Sequence, residues 1–258
     1  MELPLEIDEK YLAAILDVSE MMLTAGAEVS RIEDTVSRMA AAYGSRRTDV
    51  LTITSSITVS VQKKDGEVLT QTRRILSYAT DMLRLDRCND LSRRVCRKPL
   101  PLEALNAAID EIRAAKPYPT GVRLLAYFLE AASFALLFGG HWRDALAAGI
   151  CSFPLFFLVR WFRKLNFQRL VSSLLAATAA GICAVLLTRL GLGVSTEKIS
   201  IGCVILLIPG LAFTSSLRDM ISGDTISGLL GLCEAVLLAM SIAAGFAAAM
   251  WIMGGGAI

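Results

Sequence analysis

Histidine is nearly missing from this chain of 258 residues: His141 is the single one. That scarcity excludes a metal site built from several imidazoles and any Ser-His-Asp triad within the first 121 residues. The six cysteines, Cys88, Cys96, Cys151, Cys183, Cys203 and Cys233, contain no Cys-x-x-Cys pair. Four of them lie in the apolar half, where a thiol packs as a small hydrophobe, so neither a metal nor a cofactor is expected. No sign of charge prevails either, since 26 Lys/Arg against 24 Asp/Glu leave a net +2. A generic nucleic-acid binder, which needs a basic face to displace phosphate counterions, is thereby excluded. The start of the chain, with Glu2, Glu6, Asp8 and Glu9, has neither the basic first stretch nor the apolar core of a signal peptide. The first domain is therefore expected in the cytoplasm.

Apolar residues are abundant, at 54% with a mean hydropathy of +0.55, and they are unevenly spread. Residues 1–121 hold 17 Lys/Arg and 18 Asp/Glu, whereas residues 122–258 hold 9 and 6. Such a chain serves two solvents. In the first half, Leu12, Ile15, Leu16, Met22 and Leu23 recur at helical spacing, and Val29, Ile32, Val36 and Met39 repeat it after Gly26, which ends the first helix. Leu51, Ile53, Ile57, Val59 and Val61 alternate with Thr and Ser, the period of a half-buried strand. A turn at Asp65-Gly66 returns the chain as a partner strand over Glu67–Thr72. Residues 73–85 fit strand or helix, and Leu91–Arg97 and Leu102–Ala115 read as helices. The expectation is an α+β cytosolic domain over 1–116 and a Pro-rich linker over 117–121.

A membrane helical domain is expected over 122–258, because its apolar runs approach the roughly 20 residues that cross about 30 Å of hydrocarbon. Five runs are counted, near Val122–Gly139, Asp144–Val159, Leu170–Leu190, Ile199–Met220 and Ile226–Met253. Arg160, Arg163, Lys164 and Arg169 crowd one connection while Arg143 stands alone in the one before it. This places the N-terminus inside and, with five spans, the C-terminus outside. An ionisable group at membrane depth costs about 2.5–3.5 kcal/mol on insertion scales. Glu130 and Glu234 are accordingly expected to face the bundle interior or a wet cavity. Each could be a structural ion pair or a carboxyl that loads and unloads protons. Pro209-Gly210 interrupts the fourth run, and Thr214, Arg218, Asp219, Asp224 and Ser227 follow it. A half-helix starting there would aim free N–H groups at a carboxylate, while a plain kink beside a solvated turn reads equally well. In the first domain, Gly26, Glu28, Arg31 and Glu33 form a dense charged segment with Glu28 and Arg31 on one helical face.

Gly26-x-Glu28-x-x-Arg31-Ile32-Glu33, Asn89-Asp90-Leu91, and Ile208-Pro209-Gly210 followed by Arg218-Asp219, Gly223-Asp224, Ser227-Gly228 and Glu234 together resemble the threonine/serine exporter family. The resemblance covers most of the chain. It implies ion-gradient-driven export of threonine, serine or small dicarboxylates such as succinate across the bacterial inner membrane. It also implies the large subunit of a split system, completed by a small membrane partner or an oligomer. It favours a substrate or ion path through Pro209, Gly210, Arg218, Asp219, Asp224 and Glu234, and gives the Gly26–Glu33 segment more than a surface role. Two other readings stay open: a membrane-anchored hydrolase-like enzyme using Glu28, Arg31 and Glu33, and a metabolite-sensing regulatory domain. No Gly-x-Ser-x-Gly elbow supports the former.

Overall fold

The structure is a computed structural model that describes residues 6–76, 80–165 and 167–254. In chain order the elements are α1 (Glu9–Thr24), α2 (Val29–Ala42), β1 (Arg47–Ile53), β2 (Ser56–Gln62), β3 (Val68–Arg74), α3 (Met82–Arg97) and α4 (Leu102–Arg113). There follow α5 (Thr120–Leu137), α6 (Trp142–Lys164), α7 (Arg169–Arg189), α8 (Thr196–Ile205), α9 (Gly210–Ile221) and α10 (Thr225–Ile252). Two compact units form. One joins residues 1–116 to residues 211–233, and the other joins residues 117–210 to residues 234–258.

In the first unit Asp8 caps α1, its carboxylate accepting from the N–H groups of Lys10 and Tyr11 at 2.9 and 2.8 Å. Gly26 follows α1 at φ +95°, a left-handed conformation that side-chain-bearing residues avoid, so the chain can reverse into α2. The alternating run around residues 51–61 is two strands, not one. Ile53 pairs with Ser56, so Thr54 and Ser55 form a two-residue hairpin turn that period-two reading steps across. The Asp65-Gly66 turn and its partner strand stand as expected, giving an antiparallel sheet in the order β1-β2-β3. Residues 73–85 divide between the end of β3 and the start of α3, with 77–79 outside the described residues.

On the central strand Ile57, Val59 and Val61 are fully buried. They join Leu12, Ile15, Leu16, Ile32, Val36, Met39, Leu91, Val95, Leu105 and Ile109 in one core. On the sheet's opposite face the hydroxyls of Thr58 and Thr72, and of Ser60 and Thr70, pair across the strands at 3.1 and 2.8 Å. Residues 211–233 supply α9 and the first turns of α10 as a helical hairpin turning at Gly223, φ +102°. Gly228 lets these helices touch: a Cβ there would lie 2.4 Å from Met220 Cγ and 2.6 Å from the Ser216 carbonyl oxygen.

The regular elements of the second unit are all helices among its described residues. Four helices of the chain, α5, α6, α7 and α10, are long and apolar enough to cross a membrane, and five spans result if the bent pair α8 and α9 counts as one. The core is dominated by small residues, among them Ala131, Ala135, Ala147, Ala148, Ala176, Ala180 and Ala184 with Cys151 and Cys203, beside Leu155, Leu187 and Ile199. That composition suits helices that gain nothing from expelling water and so must pack backbone against backbone. Outward faces carry Leu125, Leu129, Phe157, Trp161 and Leu186. Pro154 sits inside α6, and the interruption expected at Pro209 is present as the gap between α8 and α9.

Candidate functional site

The charged segment after Gly26 gains its partners from the far end of the sequence. Glu28 occupies the N-cap position of α2, yet its side chain does not cap the helix. The first N–H of α2, that of Val29, instead donates to Asp219 Oδ1 at 3.0 Å, across 190 residues of sequence. Glu28 turns outward, and its Oε1 accepts from Arg218 Nη1 at 2.6 Å. Two neighbouring residues on α9 thus hold two neighbouring residues of α2, the carboxylate at the helix's positive end and the guanidinium on the adjoining carboxylate. Val29 is 2% and Asp219 8% exposed, so water cannot stand in for either partner.

Glu33 lies one turn along α2, and its Oε1 accepts from the Thr52 N–H at 2.9 Å, tying the helix to β1. Burial pushes its carboxyl above the ordinary carboxylate value, the Thr52 N–H pulls it back, and the nearby Asp224 charge raises it again. Asp224 is held by its own N–H, which donates to the Asp219 carbonyl at 2.9 Å at the tip of the hairpin. Ser227 is buried in the same hairpin, and Thr214 on α9 donates to the Leu211 carbonyl at 3.0 Å.

The predicted residues therefore fall into separate places. Glu28, Glu33, Arg218, Asp219 and Asp224 meet in the first unit, whereas Arg31, on the same helical face as Glu28, is not part of that group. Arg31 is exposed and has no ion pair among the described residues. Pro209 and Gly210 mark the helix break. The two glutamates expected to face the bundle interior or a wet cavity lie outside the buried helical core. Glu130 is on an exposed face of α5 with no hydrogen bond or ion pair among the described residues. Glu234 is half exposed and pairs with Arg169 Nη1, at the start of α7, at 2.8 Å. Helical phase is the reason: the inward stripe of α5 is set by Ala131 and Ala135, and Glu130 does not share it.

One buried polar knot escaped sequence reasoning. Asp144 is 1% exposed and its carboxylate accepts from the N–H groups of His141, Val194 and Ser195 at 2.9, 2.6 and 2.9 Å. It fastens the start of α6 to the loop before α8. An acidic residue three positions after a capping His141 was the available signal. Cys151 and Cys203 direct their thiols at backbone carbonyls, as small packed groups do. No group of three or more His, Cys, Asp or Glu positioned to hold a metal exists among the described residues.

The family model described as "Putative threonine/serine exporter" (ThrE) matches residues 13–253. A Mycobacterium tuberculosis protein named "Probable threonine/serine exporter" is 25% identical over 247 residues, covering 93% of this chain and 46% of that protein. The "Threonine/serine exporter" of Corynebacterium glutamicum is 24% identical over 251 residues, covering 92% of this chain and 51% of that protein. The chain thus spans about half the length of these curated relatives, and both are named as transporters, not enzymes. No solved structure matches. With the motif residues 26–33 and 209–234 inside the matched range and 241 of 258 residues covered, the chain belongs to the threonine/serine exporter family.

Proposed function

We propose that the chain is one subunit of an ion-gradient-driven exporter of small amino acids or carboxylates, of the threonine, serine or succinate class, in a bacterial inner membrane. The observation that carries the reading is the interruption of the fourth apolar run at Pro209, followed by the hairpin whose Arg218 and Asp219 grip α2. A helix broken within an apolar run can turn backbone dipoles toward a hydrophilic solute, which an unbroken apolar helix cannot do. The substrate path in this reading includes Pro209, Gly210, Thr214 and Ser227. The charged residues Glu28, Arg218 and Asp219 make the α9 hairpin answer to the N-terminal unit, which is held in the cytoplasm.

A small membrane partner subunit completes the path. Support comes from α5, of which only 11% is buried, and from Glu130 on its exposed face beside Leu125 and Leu129. A carboxylate against acyl chains costs about 2.5–3.5 kcal/mol, so a protein segment offering a donor is the fitting cover. The relatives are about twice this chain's length, which leaves room in them for such a segment.

Reconstitution with the small subunit in proteoliposomes tests the reading. Labelled threonine, serine and succinate are followed with and without an imposed pH gradient. Gradient-dependent movement of at least one solute is expected, with Glu130→Gln changing its pH dependence. Folded, co-purifying subunits that move none of the three overturn the substrate class. An unchanged rate and pH profile in Glu130→Gln overturns the coupling role of that carboxyl.

A further inference from the structure

The helix pair α3 and α4 carries a feature that export does not use. Between them lies a cleft of about 510 Å³, lined by Arg87, Asp90, Arg93, Arg94 and Arg97 of α3 and by Glu111 of α4, with Ala108 and Ile112 forming apolar wall. That volume is within the range of small-molecule sites, about 300–1,000 Å³. The arginines are unevenly satisfied. Arg93 pairs with Asp90 at 2.5 Å, which cancels one of the two carboxylates. Arg87, Arg94 and Arg97 have no ion pair among the described residues, and Glu111 reaches none of them.

Spacing makes the arrangement costly without an anion. Positions 87, 90, 94 and 97 follow i, i+3, i+7 and i+10, so they share one face of α3. Arg94 and Arg97, and Arg93 and Arg97, are like charges three and four apart, which destabilise a helix by a few tenths of a kcal/mol per pair. The C-terminal dipole of α3 favours cations in its last turn, where Arg94 and Arg97 lie. It does not account for Arg87, about two turns before Arg94 and lining the same cleft. Guanidinium groups present rigid pairs of donors matched to the oxygens of phosphate, and several around one cleft with an apolar wall suit a charged head on a small organic body.

We propose that the α3–α4 cleft binds a small phosphate-bearing ligand, with Arg87, Arg94 and Arg97 as the anion-holding groups. The phosphate can come from a soluble metabolite or from a lipid headgroup, and the test separates the two. Full-length protein in phosphatidylcholine nanodiscs is titrated with inorganic pyrophosphate by calorimetry. The titration is repeated in nanodiscs containing one-third phosphatidylglycerol. Saturable pyrophosphate binding in both membranes supports the site with a soluble ligand. Binding abolished by phosphatidylglycerol, and restored there in Arg94→Ala/Arg97→Ala only to the level of that variant in phosphatidylcholine, supports the site with a lipid headgroup.

In either case the Arg94→Ala/Arg97→Ala variant should bind pyrophosphate at least tenfold more weakly in phosphatidylcholine nanodiscs. The doubly Lys-substituted variant, Arg94→Lys/Arg97→Lys, should fall measurably below wild type because it keeps the charge and loses the fork. Arg38→Ala, an exposed arginine on α2, should change nothing. These are surface positions, so the variants fold. Absence of saturable binding in phosphatidylcholine nanodiscs overturns the proposal, as does binding that the double alanine variant leaves intact.

Discussion

Removing the Asp219 carboxylate isolates the contribution of the long-range cap on α2. The Val29 N–H sits at the first turn, where a helix has no internal partner for it, and both residues are almost fully buried. Asp219→Ala leaves that donor dry and unsatisfied, which costs about 1–3 kcal/mol; loss of an ordinary cap costs about 0.5–2 kcal/mol. For a folded region of roughly 150 residues, each kcal/mol moves the unfolding midpoint by about 2–4 °C, so a fall of several degrees is expected. Asp219→Asn retains an oxygen acceptor at the same place. It also removes a negative charge from the neighbourhood of Glu28 and Asp224, so its midpoint should remain within about a degree of wild type. Thermal unfolding of the purified full chain in detergent, followed by intrinsic fluorescence, reads both. The reasoning is refuted if alanine and asparagine shift the midpoint equally, because the hydrogen bond would then contribute nothing that charge removal does not.

Glu33 predicts a pH dependence. Its carboxyl is raised in the folded state, so the native protein binds this proton more tightly than the unfolded chain, and stability falls as pH rises from the ordinary carboxylate value through the raised one. Glu33→Gln keeps an oxygen for the Thr52 N–H, and should flatten that fall in the unfolding-midpoint curve above the ordinary carboxylate value while matching wild type at its acid end. Gly228→Ala would force a Cβ to 2.4–2.7 Å from Met220 Cγ, the Met220 nitrogen and the Ser216 carbonyl oxygen. The α9–α10 hairpin must then spread, at a cost of about 1–3 kcal/mol read as a lowered midpoint. Gly26→Ala has open space around it but a φ of +95°, so it should cost about 1–2 kcal/mol through backbone strain alone. A midpoint for Gly26→Ala equal to wild type would show that the turn relaxes.

Periodicity made the helices legible because each buries a stripe. The spacing of Leu12, Ile15, Leu16 and of Ile32, Val36, Met39 is local information, and those residues are fully buried in the structure. The break at Pro209 was legible for the same reason, since a missing N–H acts on its own turn. The β1–β2 hairpin was not, because Thr54-Ser55 lacks the glycine that marked the second turn, and an apolar-polar alternation continues through a two-residue loop almost in phase.

Partners separated by long stretches of chain are a different kind of information. Glu28, Arg218 and Asp219 were each conspicuous as charges, but no spacing rule connects residues 190 positions apart, and Arg31, which shares a helical face with Glu28, makes no ion pair among the described residues. The same limit governed Glu130 and Glu234. Depth in an apolar run says that a carboxylate is costly, whereas which way it points depends on helical phase relative to neighbours the run does not name. Glu234 is matched with Arg169, so its cost is met inside this chain. Glu130 has no such counterpart among the described residues, so Glu130→Gln is the substitution that tests whether the proposed partner subunit covers that face.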